Sequence, residues 1–130
     1  MMSLFQRFIE HFTHRRCPKH LRYNGRVKLS SSSFQDQDKL YRSYILDDLD
    51  EGERLMLGRI KFPDMSCNWG KFSKPEDILF RENAKQTDGC YSFTVEASRY
   101  ENMATPVHDP VFGDKEICQN YAHAEVRSLR

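Results

Sequence analysis

A chain of 130 residues, 38% of them hydrophobic, is long enough to bury one core without disulfide or metal staples, and a single domain over 1–130 is expected. Its 20 basic and 19 acidic residues leave a formal charge of +1, which excludes a global field drawing it onto nucleic acid or membrane, so any polyanion contact is local. No apolar run approaches the ~20 residues of a membrane helix, and residues 1–12 carry Arg7, Glu10 and His11 inside their apolar pattern, unlike a signal peptide, so a soluble, cytoplasmic protein is expected.

Leu4, Phe5, Phe8, Ile9 and Phe12 share one helical face behind a Ser3 cap, which predicts an amphipathic helix over 3–15. It either packs on the core or docks on another protein. His14, Arg15 and Arg16 suit the negative end of its dipole and Pro18 stops it, so residues 1–18 form a helical unit at the periphery. Residues 19–38 are turn-rich, with Asn24-Gly25 marking a tight turn and the serines at 30–33 reading as linker.

Strand-forming residues concentrate over 40–46 and again over 54–62, separated by the acidic turn Asp47-Asp48-Leu49-Asp50-Glu51-Gly52, which lacks the spacing of a calcium loop. Asn68, Trp69, Gly70, Lys71 and Phe72 read as a loop leading into a short middle helix over 74–82, with Ser73 and Glu76 at capping-box spacing and Pro75 in the first turn. Its amide groups, flanked by Lys71 and Lys74, would suit a phosphate or carboxylate. Residues 89–95 alternate as a strand with Tyr91, Phe93 and Val95 facing inward.

The predicted fold is α+β and mostly β: about five strands in one twisted sheet or partly open barrel, with the N-terminal helix and the short middle helix. The four cysteines are widely spaced and are expected as reduced thiols. His11, His14, Cys17 and His20 recur every three residues, but Pro18 would disturb a helix holding all four, so no metal site and no cofactor is assigned.

The last quarter carries the densest chemistry. As a strand, residues 120–127 place Tyr121, His123, Glu125 and Arg127 on one face and Ala122, Ala124 and Val126 on the other. Shortly before them stands Pro106-Val107-His108-Asp109-Pro110. Two histidines and a cation are what metal-independent phosphodiester cleavage needs: one imidazole takes a proton from the attacking hydroxyl, the other protonates the leaving oxygen, and the cation steadies the phosphorane. A ribonuclease-like reading therefore makes His108, His123 and Glu125 the catalytic candidates, with Lys71, Arg127, Asn68, Ser73 and Arg42 binding substrate. A non-catalytic reading uses the same groups as strand hydrogen bonds, ion pairs and turn caps in a module whose partner is RNA or another protein.

Two resemblances add to this. Arg42 in Leu-Tyr-Arg, the polar loop from Asn68 to Ser73 and the late Glu125 resemble the order in ADP-ribosyltransferase-like folds. That resemblance implies an arginine gripping the phosphates of NAD and a glutamate orienting its ribose. The runs Asn68 to Asp77, Pro106 to Pro110 and Asn120 to Val126 are similar to those of a set of small uncharacterised bacterial proteins that share Asn-Trp-x-Lys-(Phe/Tyr)-Ser-x-Pro-Glu-Asp and Pro-Val-His-Asp-Pro followed by Asn-Tyr-x-His-x-Glu-Val. This second resemblance implies no activity, but it makes those segments candidates for one shared pocket.

Overall fold

The computed structural model describes residues 17–54, 65–80, 88–113 and 118–129. The expected N-terminal helix over 3–15 lies outside them, as does the strand over 54–62 apart from Arg54. Five strands, β1 (Lys39–Tyr44), β2 (Met65–Trp69), β3 (Gly89–Thr94), β4 (Ala104–His108) and β5 (His123–Ser128), form one open antiparallel sheet in the order β3-β1-β2-β5-β4. The fold is mostly β, with little helix among the described residues: α1 (Val95–Ser98) and several single 3-10 turns. None of their helices is long and apolar enough to cross a membrane.

Alternation sets what each face of the sheet carries. Leu40 pairs with Trp69, Cys67 with Ala124, Met65 and Pro106 with Val126, and His108 with Ala124, so these side chains line one face. That face is the core, where Phe34, Leu40, Met65, Cys67, Trp69, Val95, Ala104, Ala124 and Val126 pack together. Tyr41, Asn68, Ser66, His123, Glu125 and Arg127 take the opposite face. Proline has no N–H to donate to a ladder, and β4, which holds Pro106, is accordingly an edge strand.

Several elements depart from the sequence expectation for identifiable reasons. Trp69 ends β2 instead of sitting in a loop. Its indole is fully buried, stacks on Phe34 at 3.7 Å between centroids and donates Nε1–H to Asp38 Oδ2 at 2.9 Å. The middle helix is a 3-10 segment, Pro75–Phe80. Ser73 turns its hydroxyl back to the Trp69 carbonyl at 3.1 Å, and the carboxylate of Asp77 accepts the Lys74 amide at 2.8 Å. Val95 is buried as expected but opens α1, because Thr94 caps that helix by accepting the Ala97 amide. The serines at 31–33 form a 3-10 turn pinned by Arg99, which donates to the Ser31 and Phe34 carbonyls.

The Asn24-Gly25 turn forms as read, with φ of 46° and 78° at the two central residues and the Arg26 amide bonded to Tyr23 O at 2.8 Å. It joins irregular segments and no strand pair. The acidic segment is a turn in which Asp50 Oδ1 accepts the Gly52 and Arg54 amides.

The cysteine expectation is corrected. Cys17 and Cys118 form a disulfide with their Cα atoms 5.6 Å apart, while Cys67 and Cys90 are free thiols. Burial pushes the Cys67 thiol up to about 12. The pairing removes reduced cysteines as an argument for a cytoplasmic location.

Two stability outcomes follow. A Cβ on Gly70 would stand 2.8 Å from the Lys39 carbonyl oxygen, a backbone atom that cannot swing away. Gly70→Ala should therefore cost about 1–3 kcal/mol in urea unfolding. The disulfide closes a sequence separation of 101 residues. The double variant Cys17→Ser with Cys118→Ser should lose about 2–5 kcal/mol by the same measurement.

Candidate functional site

The three sequence runs with the densest chemistry do converge, at the end of the sheet where β2, β4 and the approach to β5 meet. An isolated bridge, with Val111 and Asn120 exchanging two 2.9 Å bonds, sets the chain before β5. The Asn120 side chain then donates to Asn68 Oδ1 at 2.7 Å and accepts the Ala122 amide at 3.1 Å, so both buried amides are satisfied. Residues 121 and 122 lie in a turn, and β5 starts only at His123. That turn sends Tyr121 toward the core, not onto the polar face with His123, Glu125 and Arg127.

His108 sits at the centre of this junction with no solvent exposure. Its Nδ1 accepts the Leu29 amide at 2.9 Å, and its Nε2 lies 2.6 Å from the Tyr121 carbonyl. Since an amide can only donate and a carbonyl can only accept, the imidazole is the neutral tautomer protonated at Nε2. Burial holds its pKa below the ordinary 6.5. Trp69, Tyr121 and Phe72 surround the ring at centroid distances of 5.4, 4.8 and 6.1 Å. Neither nitrogen has a lone pair or proton left for a substrate.

His123 projects from the other face. It pairs across the sheet with Asn68, whereas His108 pairs with Ala124, so the sheet separates the two imidazoles. His123 Nδ1 donates to the Asp109 carbonyl at 2.7 Å and lies 3.7 Å from its carboxylate. Beside it, Arg127 bonds Glu125 at 3.0 Å and reaches Asp109 at 4.0 Å. His123, Asp109, Glu125 and Arg127 thus form one partly buried polar row.

The remaining candidates are dispersed. Arg42 lies on the core side of β1, donates to the Ser66 carbonyl at 2.8 Å, and is separated by the sheet from Glu125. Lys71 is exposed, with Nζ 5.6 Å from the Trp69 ring and 5.7 Å from the Phe72 ring, and it lines a cleft of about 440 Å³ with Tyr41 and Lys39. Ser73 and Asn68 are both committed to internal hydrogen bonds. Of the series His11, His14, Cys17 and His20, the first two lie outside the described residues and Cys17 is bonded to Cys118. No group of three metal-ligating side chains occurs among the described residues.

Sequence reasoning missed two features. His20 Nε2 bonds the buried Asp77 carboxylate at 2.6 Å, linking residues 57 apart, so no local signal could have paired them. Arg26 donates to the carbonyls of His20, Arg22 and Tyr23 and lays its guanidinium 4.0 Å from the Tyr121 ring centroid. Beside that loop, Tyr23 stacks on Phe112 at 4.4 Å and 5°. A cleft of about 480 Å³ opens there, lined by Arg22, Asn24, Phe112, Gln119 and the disulfide.

Comparison with protein-family models, with curated proteins and with solved structures gives no match. The fold and the site define a small antiparallel β protein whose polar candidates are largely committed to internal partners, most of them backbone groups.

The lowered pKa of His108 has a definite sign. The unfolded chain takes up a proton at this histidine near pH 6.5, and the folded chain resists it to lower pH. The contribution is therefore full above about pH 6.5 and is lost as pH falls from there toward the folded value. Urea unfolding of the wild type should show that decline, and His108→Gln should be less stable at pH 8 by about 1–3 kcal/mol with a weaker decline below pH 6.5.

Proposed function

We propose that this chain is a non-catalytic binding module for a protein or nucleic-acid partner. The observation that carries the reading is the commitment of both His108 nitrogens to backbone groups in a site closed to solvent. General acid–base cleavage by two histidines needs both at one substrate, within about 5–8 Å of each other across it. Here the sheet stands between His108 and His123. The NAD-transferring alternative loses support in the same way, because Arg42 and Glu125 project from opposite faces. What remains outward-facing among the described residues includes exposed aromatic and cationic side chains, Phe112, Arg22 and Lys71 among them, and such groups recognise partners without chemistry.

The test is incubation of purified protein with mixed-sequence RNA in EDTA, alongside His123→Ala. Intact RNA in both is the expected outcome. Cleavage by the wild type that disappears in His123→Ala would defeat the proposal and restore the ribonuclease reading. NAD consumption that disappears in Glu125→Ala would defeat it in favour of the transferase.

A further inference from the structure

Phe112 is the most exposed of the large hydrophobic side chains among the described residues, at 75%, yet it is held in place. Its ring stacks on Tyr23, Tyr23 meets Tyr121 edge-on at 5.9 Å, and Tyr121 packs on Phe72 and His108 in the interior. The backbone is fixed as well. Val111 is bridged to Asn120, and Gly113 turns the chain at φ 76° just after Phe112. One face of the Phe112 ring is thus occupied by Tyr23, while most of its surface faces solvent.

The cleft beside this ring is polar in a specific way. Gln119 Oε1 accepts the Tyr23 amide at 3.0 Å, which identifies the other end of that side chain as the NH2 donor. Asn24 sits at the first position of the tight turn with φ 46°, and its exposed amide offers both a donor and an acceptor. Arg22 lines the same cleft, and its guanidinium has no carboxylate partner among the described residues. The Cys17–Cys118 disulfide forms part of the wall.

A rigid aromatic face, two amides able to read hydrogen-bonding edges and an unpaired cation match the parts of a nucleobase carrying a phosphate. We propose that the cleft between Arg22, Asn24, Phe112 and Gln119 binds a nucleobase and its phosphate, supplied by a single-stranded nucleic acid or a free nucleotide. The base stacks on Phe112, the amides of Asn24 and Gln119 meet its edge, and Arg22 takes the phosphate. This deepens the binding-module reading and rests on it. With a formal charge of only +1, affinity comes from this cleft and not from a general basic surface.

The experiment is titration of a labelled 12-nucleotide mixed-sequence RNA, single-stranded or annealed to its complement, followed by anisotropy at several salt concentrations. Unlabelled AMP and UMP serve as competitors. Wild type is compared with Phe112→Ala, Arg22→Gln and, as a distant exposed aromatic, Tyr100→Ala, each checked for an unchanged melting temperature. The proposal expects Phe112→Ala to weaken single-strand binding about 5–100-fold. Arg22→Gln should reduce the salt slope by about one, and Tyr100→Ala should leave binding as in wild type. Binding of the single strand at least about tenfold tighter than the duplex supports a strand as the source, because a paired base cannot reach the ring. Competition by AMP or UMP that Phe112→Ala abolishes supports the free nucleotide. Absence of binding by both forms, or equal affinity in wild type and Phe112→Ala, overturns the proposal while leaving the non-catalytic reading in place. That broader reading falls only if the RNA is cleaved or NAD is consumed in the assays given above.

Discussion

The buried imidazole of His108 is the constraint on which this end of the molecule depends. It accepts the amide of Leu29 and donates to the carbonyl of Tyr121, two backbone groups that belong to no strand. Burying those groups without a partner would cost on the order of 1–3 kcal/mol each. A neutral imidazole satisfies both at once, and only one tautomer can do it. The irregular segment through residues 21–29 is thereby fastened to the sheet, together with the Leu21 carbonyl, which takes the Tyr121 amide at 2.7 Å, and the Val27 carbonyl, which takes the Tyr121 hydroxyl at 2.6 Å.

Around that clamp, ring packing extends without interruption from the core to the surface. Phe34 and Trp69 stack at its inner end, Phe72 and His108 stack on each other and meet Tyr121 edge-on in the middle, and Tyr23 and Phe112 stack at its outer end. Aromatic pairs of this kind add about 0.5–1.5 kcal/mol each beyond the area they bury. Because every ring is flanked by another, the exposed face of Phe112 is presented by the interior and does not hang from a loose loop. Arg26 reinforces the outer part from above, lying over Tyr121 while its nitrogens hold the carbonyls of the preceding loop.

The polar face of the sheet is different in kind. Its polar groups bond one another: Arg127 pairs with Glu125 and Asp109, and His123 donates to the Asp109 carbonyl. Exposed pairs of this sort contribute little to stability. They leave that row internally bonded, whereas Arg22 lines the cleft beside Phe112.

The sequence by itself determined what depends on near neighbours. Alternation over 123–128 placed Ala124 and Val126 inward and Glu125 outward, the Asn-Gly pair made its turn, and 39–44 and 89–94 became strands because β-branched and aromatic residues fit a half-buried pleat. The same alternation gathered His123, Glu125 and Arg127 on one face, but composition cannot say which internal partner each of them meets. Only the tertiary structure decided that. Strands 65–69 and 104–108 were hidden, one by Asn68 and a C-terminal Trp69, the other by its central proline, which the edge of the sheet accommodates. The partners of His108, His20 and Cys17 lie 79, 57 and 101 residues away. Hydrogen bonds and disulfides of that span are set by where the sheet carries each segment, and no local pattern of residues encodes them.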